Sequence, residues 1–152
     1  MIRYLEHCIY EQSCQDQAIH NVLLTLYVVH KKDEVLRYIN SQGLQIHFLS
    51  FSLKTFMEKS ISFTVGQDIN NVHYDVNFAL RLCHQNNLTE ASVQLAALLG
   101  DWTTAVNLAL TVSVDLAKQV ASMPLQDDDD DELKKTLWLK IGVFFFSTIF
   151  VY

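Results

Sequence analysis

Apolar residues recur at helical spacing along most of the chain. Ile2, Leu5 and Ile9 predict a first helix ending near Glu11. Ile19, Val22, Leu23, Leu26 and Tyr27 fill the i, i+3, i+4, i+7, i+8 stripe of an amphipathic helix without a miss. Val35, Leu36 and Ile39 predict a third helix, with Asp33 placed to cap its start and Gly43 to stop it.

The stretch 73–123 repeats this design with tighter punctuation. Ala79, Leu80, Leu82 and Cys83 mark one helix, broken by Asn86-Asn87. Thr89 is placed to cap the next, which carries Ala91, Leu95, Leu98 and Leu99 up to Gly100. Asp101 caps a third, whose Trp102, Ala105, Val106 and Ala109 are expected to form one buried face. Val114, Ala117, Val120 and Ala121 make a fourth before Pro124.

Helices of about ten to fourteen residues do not persist alone in water. Each of these has one modest apolar face, and small Ala side chains sit where neighbouring helices approach. Such pairs gain stability by stacking on the next pair. With only five Gly and Pro residues in 152, the chain lacks the turns that a sandwich or barrel needs. The expected fold is therefore all-α, an α-solenoid of short antiparallel helical hairpins.

Two segments depart from the pattern. Eight of the nine Phe residues fall in 44–66 (Phe48, Phe51, Phe56, Phe63) or in 142–152 (Phe144, Phe145, Phe146, Phe150). Both mix Phe with Ser and Ile, and their composition predicts strand rather than helix. Residues 127–132 are six consecutive acids, read as a solvated linker and as the negative N-terminus of a helix carrying Leu133, Leu137 and Ile141. Lys134, Lys135 and Lys140 are expected toward that helix's other end.

The net charge of −6 comes from this run, since removing it leaves eleven acids against eleven bases. No basic stripe remains to neutralise a phosphate backbone, so nucleic acid is not an expected partner. The final twelve residues, 141–152, carry no charge. As a helix they rise about 18 Å, against a hydrocarbon core of about 30 Å, so no direct membrane span is expected. Three cysteines, and a start without the apolar stretch of a signal peptide, point to a reducing, cytoplasmic setting.

The histidines (His7, His20, His30, His47, His73, His84) and cysteines (Cys8, Cys14, Cys83) form no zinc-type spacing. His7-Cys8 and Cys83-His84 are chain neighbours, which a helix points about 100° apart. No phosphate-binding glycine loop, nucleophile elbow or metalloprotease motif is present. Trp102 and Trp138 sit at helical core positions. No catalytic, cofactor-binding or metal-binding residue is predicted, and no enzyme activity or cofactor.

Several strings are specific enough to carry a resemblance. They are His73-Tyr74-Asp75, Phe78–Cys83, Ala105–Leu110, Val114–Gln119 and Leu137–Ile141, with Ala18–Asn21 and Leu23–Tyr27 near the start. Together they resemble the clathrin heavy-chain-repeat region of the vacuolar protein sorting-associated protein 18 family. The resemblance covers 1–43 and 67–141, and the Phe-rich segments 44–66 and 142–152 depart from it. It implies a core subunit of the HOPS and CORVET endosome–lysosome tethering complexes, acting in vesicle docking and fusion and in intracellular protein transport. The implied partners are other tethering-complex subunits, with an indirect link to SNAREs and small GTPases. The implied place is the cytosolic face of late endosome and lysosome membranes, held peripherally. The alternative is another helical-repeat adaptor or a clathrin-type coat component.

Overall fold

The structure is a computed structural model that describes residues 1–42, 71–123 and 131–150. Its order is α1 (Ile2–Tyr10), α2 (Gln17–His30), α3 (Lys32–Ser41), α4 (Val76–Gln85), α5 (Thr89–Leu98), α6 (Trp102–Val112), α7 (Val114–Ser122) and α8 (Asp131–Phe150). Among the described residues there is no strand, in agreement with the all-α expectation. The Phe-rich segment 44–66, Gly43 and the acids Asp127–Asp130 lie outside the described residues.

The helices pack in chain order, and successive layers cross-link. α4 rests on α2, α5 on both α3 and α4, α6 on α5, and α8 on α6 and α7. Two apolar cores result. One gathers Ile9, Leu23, Leu24, Val28, Val35, Ile39, Ala79 and Cys83 from α1 to α4. The other gathers Ala105, Val106, Ala109, Ala117, Val120, Leu137 and Ile141 from α6 to α8. α5 belongs to both: Ala91 and Leu95 enter the first, Val93, Ala96 and Ala97 the second. Every residue from Ala91 to Ala97 is buried, which is possible because small side chains let helices approach on all sides. This is stacking of short helices, each unstable alone, on their neighbours.

Local chemistry sets the boundaries. Asp16, Asp75, Asp101 and Ser113 cap α2, α4, α6 and α7, each accepting from a backbone N–H of the first turn. Asn86-Asn87 ends α4 as predicted. Asn87 is left-handed at φ 57°, and Leu88 N–H reaches the Cys83 carbonyl at 3.0 Å. Gly100, at φ +75°, ends α5 in the same way, with Gly100 N–H to Ala97 O and Asp101 N–H to Ala96 O, both 3.0 Å.

The structure corrects several sequence expectations. Thr89 is the first helical residue of α5 rather than its cap, which is Leu88. α3 starts earlier than predicted, at Lys32, because the single residue Lys31 both ends α2 and begins α3; Asp33 lies in the first turn. Trp102 is half-buried, while Ala105, Val106 and Ala109 form the buried face. Trp138 is exposed. The residues expected to be strand-prone after Ile141 instead continue α8 to Phe150. Because α8 runs that far, Lys134 and Lys135 sit near its start and Lys140 midway. Asp131 and Glu132 do occupy its first turn.

Candidate interaction surface

α8 is built from residues with opposite demands. Leu133, Leu137 and Ile141 recur every four residues and make one ridge. Leu137 and Ile141 are buried against α6 and α7, and Leu133 packs beside them. Asp131 and Glu132 favour the positive end of the helix dipole, and Lys134 pairs with Asp131 at 3.7 Å. Past Ile141 the helix turns large apolar side chains outward: Val143, Phe144, Phe145 and Phe146 are all exposed. Ser147 and Thr148 turn their hydroxyls back to the Phe144 carbonyl, each at 2.8 Å, which satisfies them within the helix.

The exposed side chains Trp138, Leu139, Val143, Phe144, Phe145 and Phe146 make this helix rich in outward apolar area of the kind that marks a protein contact or an aggregation hazard. Among the described residues no helix is long and apolar enough to cross a membrane.

The opposite end of the stack is also apolar, with Met1 and Tyr4 exposed. A cleft of about 490 Å³ lies between α1 and α2, lined by Met1, Ile2, Arg3, Leu26, His30 and Lys31. Glu6 secures α1 here, accepting from the Tyr27 hydroxyl at 2.7 Å and facing Lys31 Nζ at 3.7 Å. Burial, then the bond to Glu6, raises the Tyr27 phenol well above its ordinary value.

The cysteines are free thiols, Cys8 and Cys83 buried and Cys14 half-buried. Burial pushes the Cys83 thiol up to about 11, so it is an unreactive core group. His7 and His84 point to solvent, away from the neighbouring Cys8 and Cys83. No group of three His, Cys, Asp or Glu side chains among the described residues could hold a metal ion. One polar centre escaped the sequence reading. His20 is 1% exposed and joins the α1–α2 connection to α3 through two short hydrogen bonds. Its signal lay in the stripe 20, 23, 24, 27, 28, which parallels the predicted stripe one residue along.

Comparison with known proteins adds the context that these surfaces lack. The family described as VPS18, alpha-solenoid domain, second half, matches residues 1–145. The chain is 39% identical over 141 residues to the vacuolar protein sorting-associated protein 18 homolog of Danio rerio, covering 93% of this chain and 12% of that protein. It is 34% identical over 140 residues to the homolog of Drosophila melanogaster, covering 92% and 11%. It is 29% identical over 150 residues to the vacuolar membrane protein pep3 of Schizosaccharomyces pombe, covering 96% and 13%. The chain thus spans about an eighth of the length of the curated relatives it matches. No solved structure matches it significantly.

Proposed function

The chain belongs to the VPS18 family, within the second half of its α-solenoid domain, and on that footing we propose that it is a non-catalytic scaffold segment of a HOPS- or CORVET-type tethering subunit. Its work is geometric. Stacked helices hold an extended surface in place for other subunits of the complex, which in turn engage SNAREs and small GTPases during vesicle docking and fusion. Its place is peripheral, on the cytosolic face of late endosome and lysosome membranes, reached through protein partners.

The observation that carries this reading is the family match over residues 1–145, whose described short helices are stabilised by packing on one another. The chemistry of the described residues is consistent with it. The buried polar groups His20 and Tyr38 satisfy each other, and the raised Cys83 thiol is unsuited to nucleophilic work.

Affinity purification of the tagged chain from cells, followed by quantitative proteomics, tests the proposal. Other tethering-complex subunits are the expected co-purifying proteins. Enrichment of clathrin-coat components without tethering subunits would assign the chain to the alternative adaptor class.

A further inference from the structure

His20 sits on α2 at the junction of three other segments, and both of its ring nitrogens are engaged. Nε2 lies 2.8 Å from the Cys14 carbonyl oxygen, in the connection between α1 and α2. Nδ1 lies 2.6 Å from the Tyr38 hydroxyl on α3. A carbonyl only accepts, so Nε2 must carry the proton. Nδ1 is then an acceptor, and Tyr38 O–H donates to it. The partners assign the tautomer, and it is a neutral one.

The surroundings reinforce neutrality. His20 and Tyr38 are 1% and 2% exposed. The Tyr38 ring packs against Tyr27 at 5.6 Å and Tyr74 at 6.1 Å between centroids. The groups facing His20 are the Cys14 carbonyl and Asp16 from the α1–α2 connection, Tyr38 from α3, and the His73 ring at 5.3 Å with neighbouring Tyr74 from the segment entering α4. Burial opposes a charge on His20 most strongly and His73 adds to it, while the Cys14 carbonyl and Asp16 favour one but do not outweigh burial. A second proton on His20 must sit on Nδ1, where it meets the hydrogen that Tyr38 donates. Tyr38 would have to turn its hydrogen away inside a ring cluster, and a charge would be left beneath the surface.

We propose that this junction is a proton-sensitive clasp: neutral His20, donating to Cys14 and accepting from Tyr38, holds the α1–α2 connection and α3 against α2. Because a second proton displaces the Tyr38 bond and charges a buried ring, proton uptake favours the open state, in which the connection lifts away with α1 and His20 meets water. The released element is lightly anchored. Of α1 only Cys8 and Ile9 are buried, and its main packing partner is α2, with Glu6 bonded to Tyr27 and Lys31. The connection is tied to α1 by Cys14 N–H to Cys8 O at 3.1 Å and Gln12 N–H to His7 O at 3.3 Å, bonds that a nine-residue helix freed from α2 does not keep, and it contains left-handed Ser13 at φ 52°. Such segments open locally before a domain unfolds.

The direction with pH follows from linkage. Burial, the largest cause, lowers the closed-state affinity of His20 for a proton. Above the ordinary imidazole value of about 6.5 both states are neutral and the clasp is at full strength. As pH falls below that value the open state takes up the proton first and closure weakens. The loss ends once pH drops through the lower closed-state value.

Amide exchange by NMR, corrected for the intrinsic rate, tests the clasp at about pH 7.5 and about pH 5.5, the range in which an imidazole titrates. Protection of Cys14 and Gln12 N–H should fall on acidification, by at most about tenfold because the lower pH lies about one unit below the ordinary value that the open state follows, while Val106 and Val120 keep theirs. His20→Gln, which offers a donor and an acceptor but does not titrate, should abolish that fall. Equal pH dependence in wild type and His20→Gln would overturn the proposal. Imidazole nitrogen shifts of the wild-type protein give a second readout that needs no variant. The Nε2–H tautomer with a midpoint below the ordinary value is expected, and the Nδ1–H tautomer or an unshifted midpoint would sink the idea.

Discussion

The Asn21 side-chain oxygen accepts a hydrogen bond from the Asp75 backbone N–H at 3.0 Å, across 54 positions of sequence. Asp75 in turn caps α4 by accepting from Phe78 N–H at 3.0 Å. One polar side chain on α2 therefore fixes where α4 begins, next to the apolar contacts that join the two helices in the first core. Asn21→Ala leaves the partly buried Asp75 N–H without this acceptor and should cost about 1–2 kcal/mol. Urea denaturation measures it. A loss below about 0.3 kcal/mol would mean that water replaces Asn21 at no net cost.

Gly100 ends α5 with a φ of +75°, and a Cβ built there would meet nothing within 4 Å. Gly100→Ala thus isolates the backbone cost of placing an L side chain in the left-handed region, with no clash to confuse it. Destabilisation of about 1–2 kcal/mol is expected. An unchanged thermal midpoint would show that the turn relaxes to another conformation.

The sequence made the helices legible wherever apolar positions were sparse. In α1, α4 and α7 a few apolar residues at helical spacing left one possible face, and Ala79, Cys83, Ala117, Val120 and Ala121 are buried as read. In α2 they are too many. Ile19–Val29 is almost continuously apolar, so two stripes one residue apart fit the same template. The structure buries His20, Leu23, Leu24, Tyr27 and Val28 and leaves Val22 46% exposed. A histidine heading the true stripe made it look the poorer of the two, although its two partners lie six and eighteen residues away. α8 failed for another reason. Strand propensity describes how a residue fits a half-buried sheet, and no sheet edge exists among the described residues to receive 142–150. A helix already running from Asp131 needs only one further bond per residue to continue.

Asp101 shows how a helix cap imposes a pH dependence. Hydrogen bonds from Thr104, side chain and backbone, and from Thr103 hold its carboxyl below the ordinary carboxylate range. The contribution is present above the ordinary value and is lost as pH falls through the lowered one. At neutral pH Asp101→Ala should cost about 1 kcal/mol, the usual worth of such a cap. In acid, with the wild-type carboxyl protonated, the two proteins should converge. A gap that persists unchanged into acid would mean that the carboxylate charge plays no part in capping α6.

α8 joins a buried ridge to exposed apolar side chains, and substitutions should separate the two. Leu137 is fully buried, so Leu137→Ala removes packing that a rigid core only partly repairs and should cost about 2–5 kcal/mol. Phe145 and Phe146 are 52% and 63% exposed. Phe145→Ser and Phe146→Ser should therefore change monomer stability by no more than about 0.5 kcal/mol. Their effect should appear as solubility, because they break up an apolar surface that invites association. Denaturation at low protein concentration gives the first quantity, and sedimentation velocity over a concentration series gives the second. If Phe146→Ser destabilises the monomer as much as Leu137→Ala does, the far end of α8 is packed in solution and does not stand clear of the stack.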